Sequence, residues 1–198
     1  MLSVQTSSMG KKLKGATCLT EPLFFDTDCI SAFLWVGTEN ILVKLYPNRI
    51  VIPKIVYDEL SNPGIPHLKA KIDKLLSAEQ AQLMSIHIAT EAYNLYYQLT
   101  EKPKDGYKVI GKGEAASIAL AKQYDGIVAS NNLKDISYYI AQMGLKHITT
   151  GDILFAALER GYISEAQGNA IWAKMISKRR KLGAASFTEY IKAKKLSI

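Results

Sequence analysis

Leu23-Phe24-Phe25-Asp26-Thr27-Asp28-Cys29-Ile30-Ser31 is the stretch on which the fold turns. Pro22 leads into a short apolar run that stops at Asp26. Helical spacing begins at once, with Ile30, Phe33, Leu34, Ile41, Leu42 and Leu45 recurring on one side. This predicts a strand over Leu23–Phe25 and one helix running to Leu45, weakened at Gly37 and capped by Thr27 or Asp28, or by Asp26 itself as that acid's bland reading. In open α/β folds ligands gather beyond the carboxyl ends of the strands, and Asp26 stands at such an end.

The remaining chain keeps the alternation. After a turn at Asn48, Ile50-Val51-Ile52 reads as a second buried strand, and Pro53 suits the first turn of a helix that Asn62-Pro63-Gly64 ends. Helices over 68–79 and 90–100 flank an apolar run at 83–88, and 102–107 is a polar turn. Gly111-Lys112-Gly113 introduces an alanine-rich helix over 114–123, whose small residues imply close approach to the sheet. A strand at 126–129, Asn131-Asn132, a helix at 133–143, a short strand at 147–149 and a helix at 151–160 follow. Strands alternating with helices argue an α/β fold with a central parallel sheet and right-handed crossovers. The last segments, 164–180 and 186–195, read as helices and carry Lys174, Lys178, Arg179, Arg180, Lys181, Lys192, Lys194 and Lys195.

The totals set bounds. A chain of 198 residues, 48% hydrophobic and 22% charged, fits one domain with a buried core and excludes global disorder. The net charge of +7 favours a polyanionic partner. Cys18 and Cys29 show no CxxC spacing and no secretory signal precedes them, so two free thiols in a reducing cytoplasm are expected. His67, His87 and His147 lack zinc-site spacing. No apolar run reaches the roughly 18–20 residues that span a bilayer. Residues 1–21 read as a flexible leader, within which Met9 is an alternative start.

Later segments deliver further acids in settings like that of Asp26, and each has a bland reading. Glu59 shares a helical side with Ile55 and Val56, or else forms a solvated pair with Asp58. Glu114 opens a helix, where the macrodipole alone favours a negative charge. Asn132 and Asp135 fit a capping arrangement, yet follow a strand. Asp152 after Thr150 has the same pattern and reads as structural. Clustered carboxylates raise one another's pKa values, so meeting acids are tolerable chiefly around a cation, and an all-oxygen site suits Mg²⁺ or Mn²⁺.

Taken in order, these segments resemble the PIN domain family, a metal-dependent ribonuclease fold with toxin members. Leu-Phe-Phe-Asp-Thr-Asp is similar to the family's opening strand and first acid, at Asp26. Ile-Val-Ile-Pro-Lys-Ile-Val-Tyr-Asp-Glu-Leu resembles the segment with the second acid, at Glu59. Gly-Lys-Gly-Glu-Ala-Ala-Ser-Ile-Ala-Leu-Ala resembles that with the third, at Glu114. Ile-Val-Ala-Ser-Asn-Asn-Leu-Lys-Asp-Ile maps the fourth to Asp135, with Ser130 and Asn132 beside it.

The resemblance implies a three-layer α/β/α nuclease domain over 22–160, with 161–198 as a basic helical extension that compact toxin members usually lack; its basic residues would hold the RNA backbone, or else form a solvated helix face packed on the domain. It implies cleavage of single-stranded RNA by metal-activated water. Asp26, Glu59, Glu114 and Asp135 would serve as catalytic metal ligands, while Ser130 and Asn132 orient a carboxylate or the scissile phosphate. An antitoxin protein and a homodimer are the implied partners if the chain is a toxin. Two other readings stay open: a catalytically weak RNA-binding module of the same fold, and a nucleotide-binding protein using Gly111-Lys112-Gly113.

Overall fold

The computed structural model describes residues 21–103 and 108–196. The expected leader (apart from Glu21), Cys18 and residues 104–107 of the polar turn lie outside them. Five strands form one all-parallel sheet: β1 (Leu23–Phe25), β2 (Ile50–Pro53), β3 (Gln82–Met84), β4 (Ile127–Ala129) and β5 (Lys146–Ile148), ordered β3-β2-β1-β4-β5. Leu23 pairs with both Ile50 and Ile127, so β1 lies at the centre. The chain runs outward from β1 to β3 and returns to β4 on the other side. The order therefore reverses between β1 and β4, which opens a crevice at their carboxyl ends.

Alternation along β1 divides the core. Leu23 and Phe25 face one side, with Ile50 and Ile52; Phe24 faces the other, with Val51 and Val128. The first side is covered by α1 (Thr27–Val36), α2 (Glu39–Leu45), α3 (Lys54–Leu60), α4 (Pro66–Ser77) and α8 (Thr150–Glu159). The second is covered by α5 (Glu91–Thr100), α6 (Lys112–Gln123) and α7 (Leu133–Met143). The result is the expected three-layer α/β/α arrangement.

The last two helices, α9 (Glu165–Ser177) and α10 (Phe187–Leu196), join the first of these layers. Trp172, Met175, Phe187 and Ile191 are buried in the same cluster as Leu23 and Phe25. The Trp172 indole N–H donates to the Ala184 carbonyl at 3.1 Å, and its ring lies 5.8 Å from that of Phe187. Asp152 fastens α10 to α8: it accepts from Lys194 at 2.6 Å and from the Tyr190 hydroxyl at 2.8 Å. Burial pushes the Asp152 carboxyl up, but Lys194, Thr149 and Tyr190 outweigh it and hold the acid below its usual range. The structural reading of Asp152 fits this arrangement.

Several local expectations change. The single helix to Leu45 is broken, because Gly37 takes a left-handed conformation (φ +72°) and donates to Leu34 as a C-cap. The chain then restarts as α2. Of the three candidate caps it is Asp26 that closes the first turn of α1. Pro53 ends β2 instead of opening a helical turn, so its missing N–H falls where the ladder stops. Of the apolar run at 83–88 only Leu83 and Met84 pair with the sheet, in a strand that starts one residue earlier at Gln82; Ile88 is 79% exposed.

Gly168 on α9 makes the docking of α10 testable. A Cβ there would lie 2.2 Å from Cδ1 of Phe187, a ring with no exposure and no room to retreat. Gly168→Ala gains roughly 1 kcal/mol of helix propensity. It loses about 1–3 kcal/mol to overpacking. Urea unfolding is expected to show net destabilisation in a single shared transition. A more stable variant would contradict this packing.

Candidate active site

Asp26 leaves β1 with extended backbone (φ −78°, ψ 170°), and its N–H donates to the Ala129 carbonyl at 3.0 Å. That bond carries the β1–β4 pairing one residue past the strand and seals the carboxyl group beneath the crevice. Oδ1 accepts from the Cys29 N–H at 2.7 Å, capping α1. Oδ2 is enclosed and no donor among the described residues meets it at hydrogen-bond distance, although the Ser130 hydroxyl lies near enough to favour the ionised carboxyl. The side chain is 1% exposed.

Burial pushes its pKa up to about 7, with Asp28 and Glu114 adding to the rise and the Ser130 hydroxyl and Cys29 N–H opposing it. An unpartnered oxygen in a buried carboxyl costs about 1–3 kcal/mol. A proton or a cation relieves that cost.

Above Asp26 lies an open pocket of about 210 Å³, whose walls include Asp28, Glu59, Glu114, Lys112 and Arg180. Glu59 comes from the last turn of α3. Val56 and Leu60 turn inward, Asp58 pairs with Lys54 in solvent, and Glu59 turns onto the pocket, where it accepts from the Thr27 hydroxyl. Gly113 lets α6 approach that pair: a Cβ there would lie 2.7 Å from Thr27 Oγ1 and 3.1 Å from Glu59 Oε2. Glu114, at the third position of α6, accepts from the Gly111 N–H at 3.0 Å and from Asn132 Nδ2 at 2.6 Å.

The remaining expected residues stand behind this group. Asn132 Nδ2 also donates to Asp135 at 2.6 Å, so Asp135 reaches the pocket only through Asn132 and is itself exposed. Ser130 is fully buried; its hydroxyl accepts from the Asn132 N–H at 3.2 Å, and its carbonyl bonds the His147 ring at 2.8 Å. The structure thus brings Asp26, Glu59 and Glu114 onto one cavity, with Asn132 and Asp135 extending it as a chain.

Among the described residues, no three His, Cys, Asp or Glu side chains are gathered closely enough to hold an ion as they stand. The acids are spread by their own donors: Thr27 for Glu59, Gly111 and Asn132 for Glu114. A cation competes with those bonds. The donor chemistry nevertheless fits a hard divalent ion, for the set is all oxygen and the deepest member has an unsatisfied carboxylate atom.

Two members of the pocket wall are not legible as such in the sequence: Asp28 reads there as a helix cap, and Arg180 only as one of the tail's basic residues that would hold an RNA backbone. Two residues after Asp26, Asp28 rises from the first turn of α1 toward the same space; Asn131 Nδ2 lies 3.4 Å from it. Arg180 arrives from 152 positions away, and no local pattern announces that.

The raised Asp26 pKa has a consequence for stability. In metal-free buffer the folded chain keeps this proton up to about pH 7, while the unfolded chain loses it near 3.8, the ordinary value for an aspartate. The folded state therefore binds more protons across that window, and stability falls as pH rises through it. Asp26→Asn keeps the cap acceptor and removes the charge. Its urea-unfolding free energy, relative to wild type, is expected to rise between about pH 4 and pH 8, by roughly 3–5 kcal/mol at most. Parallel curves over that range would contradict a buried, unpartnered carboxyl.

The comparisons with known proteins agree with the architecture. Among the curated proteins none matches the chain. A family model described as PIN domain matches residues 23–195, which takes in α9 and α10 as well as the whole sheet. PIN domains are generally nucleases that use divalent metals, so a hydrolase-type fold is established at that level. No helix among the described residues is long and apolar enough to cross a membrane. By this match over most of its length, the chain belongs to the PIN domain family.

Proposed function

We propose that the protein is an endoribonuclease that hydrolyses phosphodiester bonds in single-stranded RNA with Mg²⁺ or Mn²⁺. The observation that carries this reading is the enclosed, unpartnered Oδ2 of Asp26 beneath a pocket walled by Asp28, Glu59 and Glu114. Asp26, Glu59 and Glu114 would hold the ion. A bound divalent cation supplies Lewis-acid assistance and charge neutralisation to phosphodiester hydrolysis.

The other roles follow from the contacts. Asn132 steadies the Glu114 carboxylate and links it to Asp135, which acts as a positioning acid. Ser130 moderates the rise in the Asp26 pKa, keeping the group able to ionise near neutrality. Gly111 and Lys112 line the pocket and are exposed, so a nucleic acid strand could reach it past them. The excess of basic residues supplies the general attraction for an RNA backbone, so binding weakens with salt. Cys29 is free and buried, in keeping with a reducing cytoplasmic setting.

The narrower form of the proposal is a toxin with an antitoxin partner, acting as a homodimer. Its mark is growth arrest on induction of wild type and not of Asp26→Asn.

The general form is tested by incubating mixed single-stranded RNAs with purified protein in Mg²⁺, Mn²⁺ or EDTA. Cleavage should require the metal. It should fall at least about a hundredfold in Asp26→Asn, Glu59→Gln and Glu114→Gln, the scale of losing a preorganised electrostatic group. Salt-sensitive RNA binding without cutting, by wild type as well as variants, would replace the nuclease with an RNA-binding module. Cutting that persists in Asp26→Asn would place the chemistry elsewhere.

A further inference from the structure

Four carboxylates on one small pocket repel the polyanion they are meant to cut. The walls include two basic groups, Lys112 and Arg180. Lys112 is exposed, whereas Arg180 is held in place by a series of contacts that begins at the end of α9. Lys178 follows Ser177 as the cap residue, and Arg179 then takes a left-handed conformation, φ +58°. The Arg179 N–H donates to Ile176 at 2.8 Å and the Arg180 N–H to Met175 at 3.0 Å, closing the helix and reversing the chain. A non-glycine residue in that conformation is held there by its surroundings.

Past this turn the Arg180 side chain is fixed along its length. Nε donates to the Lys178 carbonyl at 3.1 Å, and Nη1 reaches Ser31 Oγ at 3.2 Å and Asp28 Oδ1 at 3.3 Å. The side chain is 25% exposed and its partner Asp28 36%. Two features make this more than a surface ion pair. The contact with Asp28 is longer than the 2.7–2.9 Å usual for a charge-assisted N–H···O bond, so the pair is loose. Nη2 has no hydrogen-bond partner among the described residues, which leaves donors of a planar fork uncommitted at the pocket wall.

We infer that Arg180 is a substrate-binding residue: its guanidinium takes a phosphodiester of the RNA in the pocket. This deepens the nuclease reading and rests on it. Arginine suits the task because its fork matches two phosphate oxygens and keeps its charge at every working pH. The C-terminal helices then have a role in the active site: α9 packs against α1, and its closing turn delivers a held guanidinium beside the exposed Lys112.

The test measures cleavage of one single-stranded RNA by wild type, Arg180→Ala, Arg180→Lys and Lys181→Ala, with RNA affinity in EDTA and thermal unfolding alongside. Lys181 is exposed and adjacent, and serves as the charge-matched control. Arg180→Ala is expected to raise KM and the RNA dissociation constant about 10–100-fold, as loss of hydrogen bonds between charged groups does. Arg180→Lys should recover part of this, and Lys181→Ala should stay within about threefold of wild type, as one screened surface charge does. Equal KM and affinity in the Arg180 and Lys181 variants, or faster cleavage by Arg180→Ala, overturns the inference while wild-type cleavage upholds the nuclease. If Arg180→Ala does not fold, Arg180→Lys decides, and an unchanged KM there overturns the proposal. A wild type that cuts no RNA brings down both readings.

Discussion

The Asp26 carboxyl is tied to the backbone on one side only. Its Oδ1 closes the first turn of α1, and its own N–H extends the β1–β4 pairing, so both the helix direction and the crevice depend on this residue. The other oxygen is sealed and unmatched. A fold optimised for stability alone would place asparagine or serine at this cap, since either satisfies the Cys29 N–H without a buried charge. Keeping the acid retains a stability cost at the strand end where the proposed cation would use it. A carboxyl perturbed by burial in a cleft is a candidate for a functional site on that ground.

The other parts of the molecule serve the opening above that carboxyl. Sheet order reverses between β1 and β4, so the helices that follow them diverge and leave space. Gly113 brings α6 against Thr27 and Glu59, closing one wall to the distance at which a carboxylate and a hydroxyl meet. On the opposite layer α9 and α10 fill the flank of α1 with Trp172, Met175 and Phe187. Their apolar sides are spent on packing, and several basic residues remain outside: Lys174, Lys181, Lys192 and Lys195 are exposed. Lys194 and Lys178 are committed, one to Asp152 and the other over the Trp35 ring at 5.7 Å. The tail is thus at once a packed part of the fold and a source of positive charge.

Much of this was legible because the signals are local. A strand of three apolar residues cut off by an acid, repeated with helix after helix, is enough to place a carboxylate at the end of a parallel sheet. The alanine run after Glu114 announced close packing, and α6 is nearly buried from Gly113 to Ala121. What could not be read is what depends on distant partners. Gly37 was legible as a weak point but not as a full break, since the choice belongs to how α2 docks. Glu59 was ambiguous because helical spacing puts it beside both Val56 and solvent; it sits at the boundary and faces the pocket while exposed. Asp28 was hidden by its equal fitness as a cap. Arg180 was one base in a basic tail until the turn at Arg179 gave it a direction.

The central claim is that a divalent cation completes the Asp26 carboxylate. Its most direct test is calorimetric titration of Mn²⁺ into the protein near pH 6.5, repeated in buffers of different ionisation enthalpy. Because burial holds Asp26 partly protonated near neutrality, binding should release a measurable fraction of a proton. Asp26→Asn should abolish both the release and most of the affinity. Equal affinity and equal proton balance in the two proteins would show that the ion binds elsewhere, and would leave the buried carboxyl without a chemical purpose.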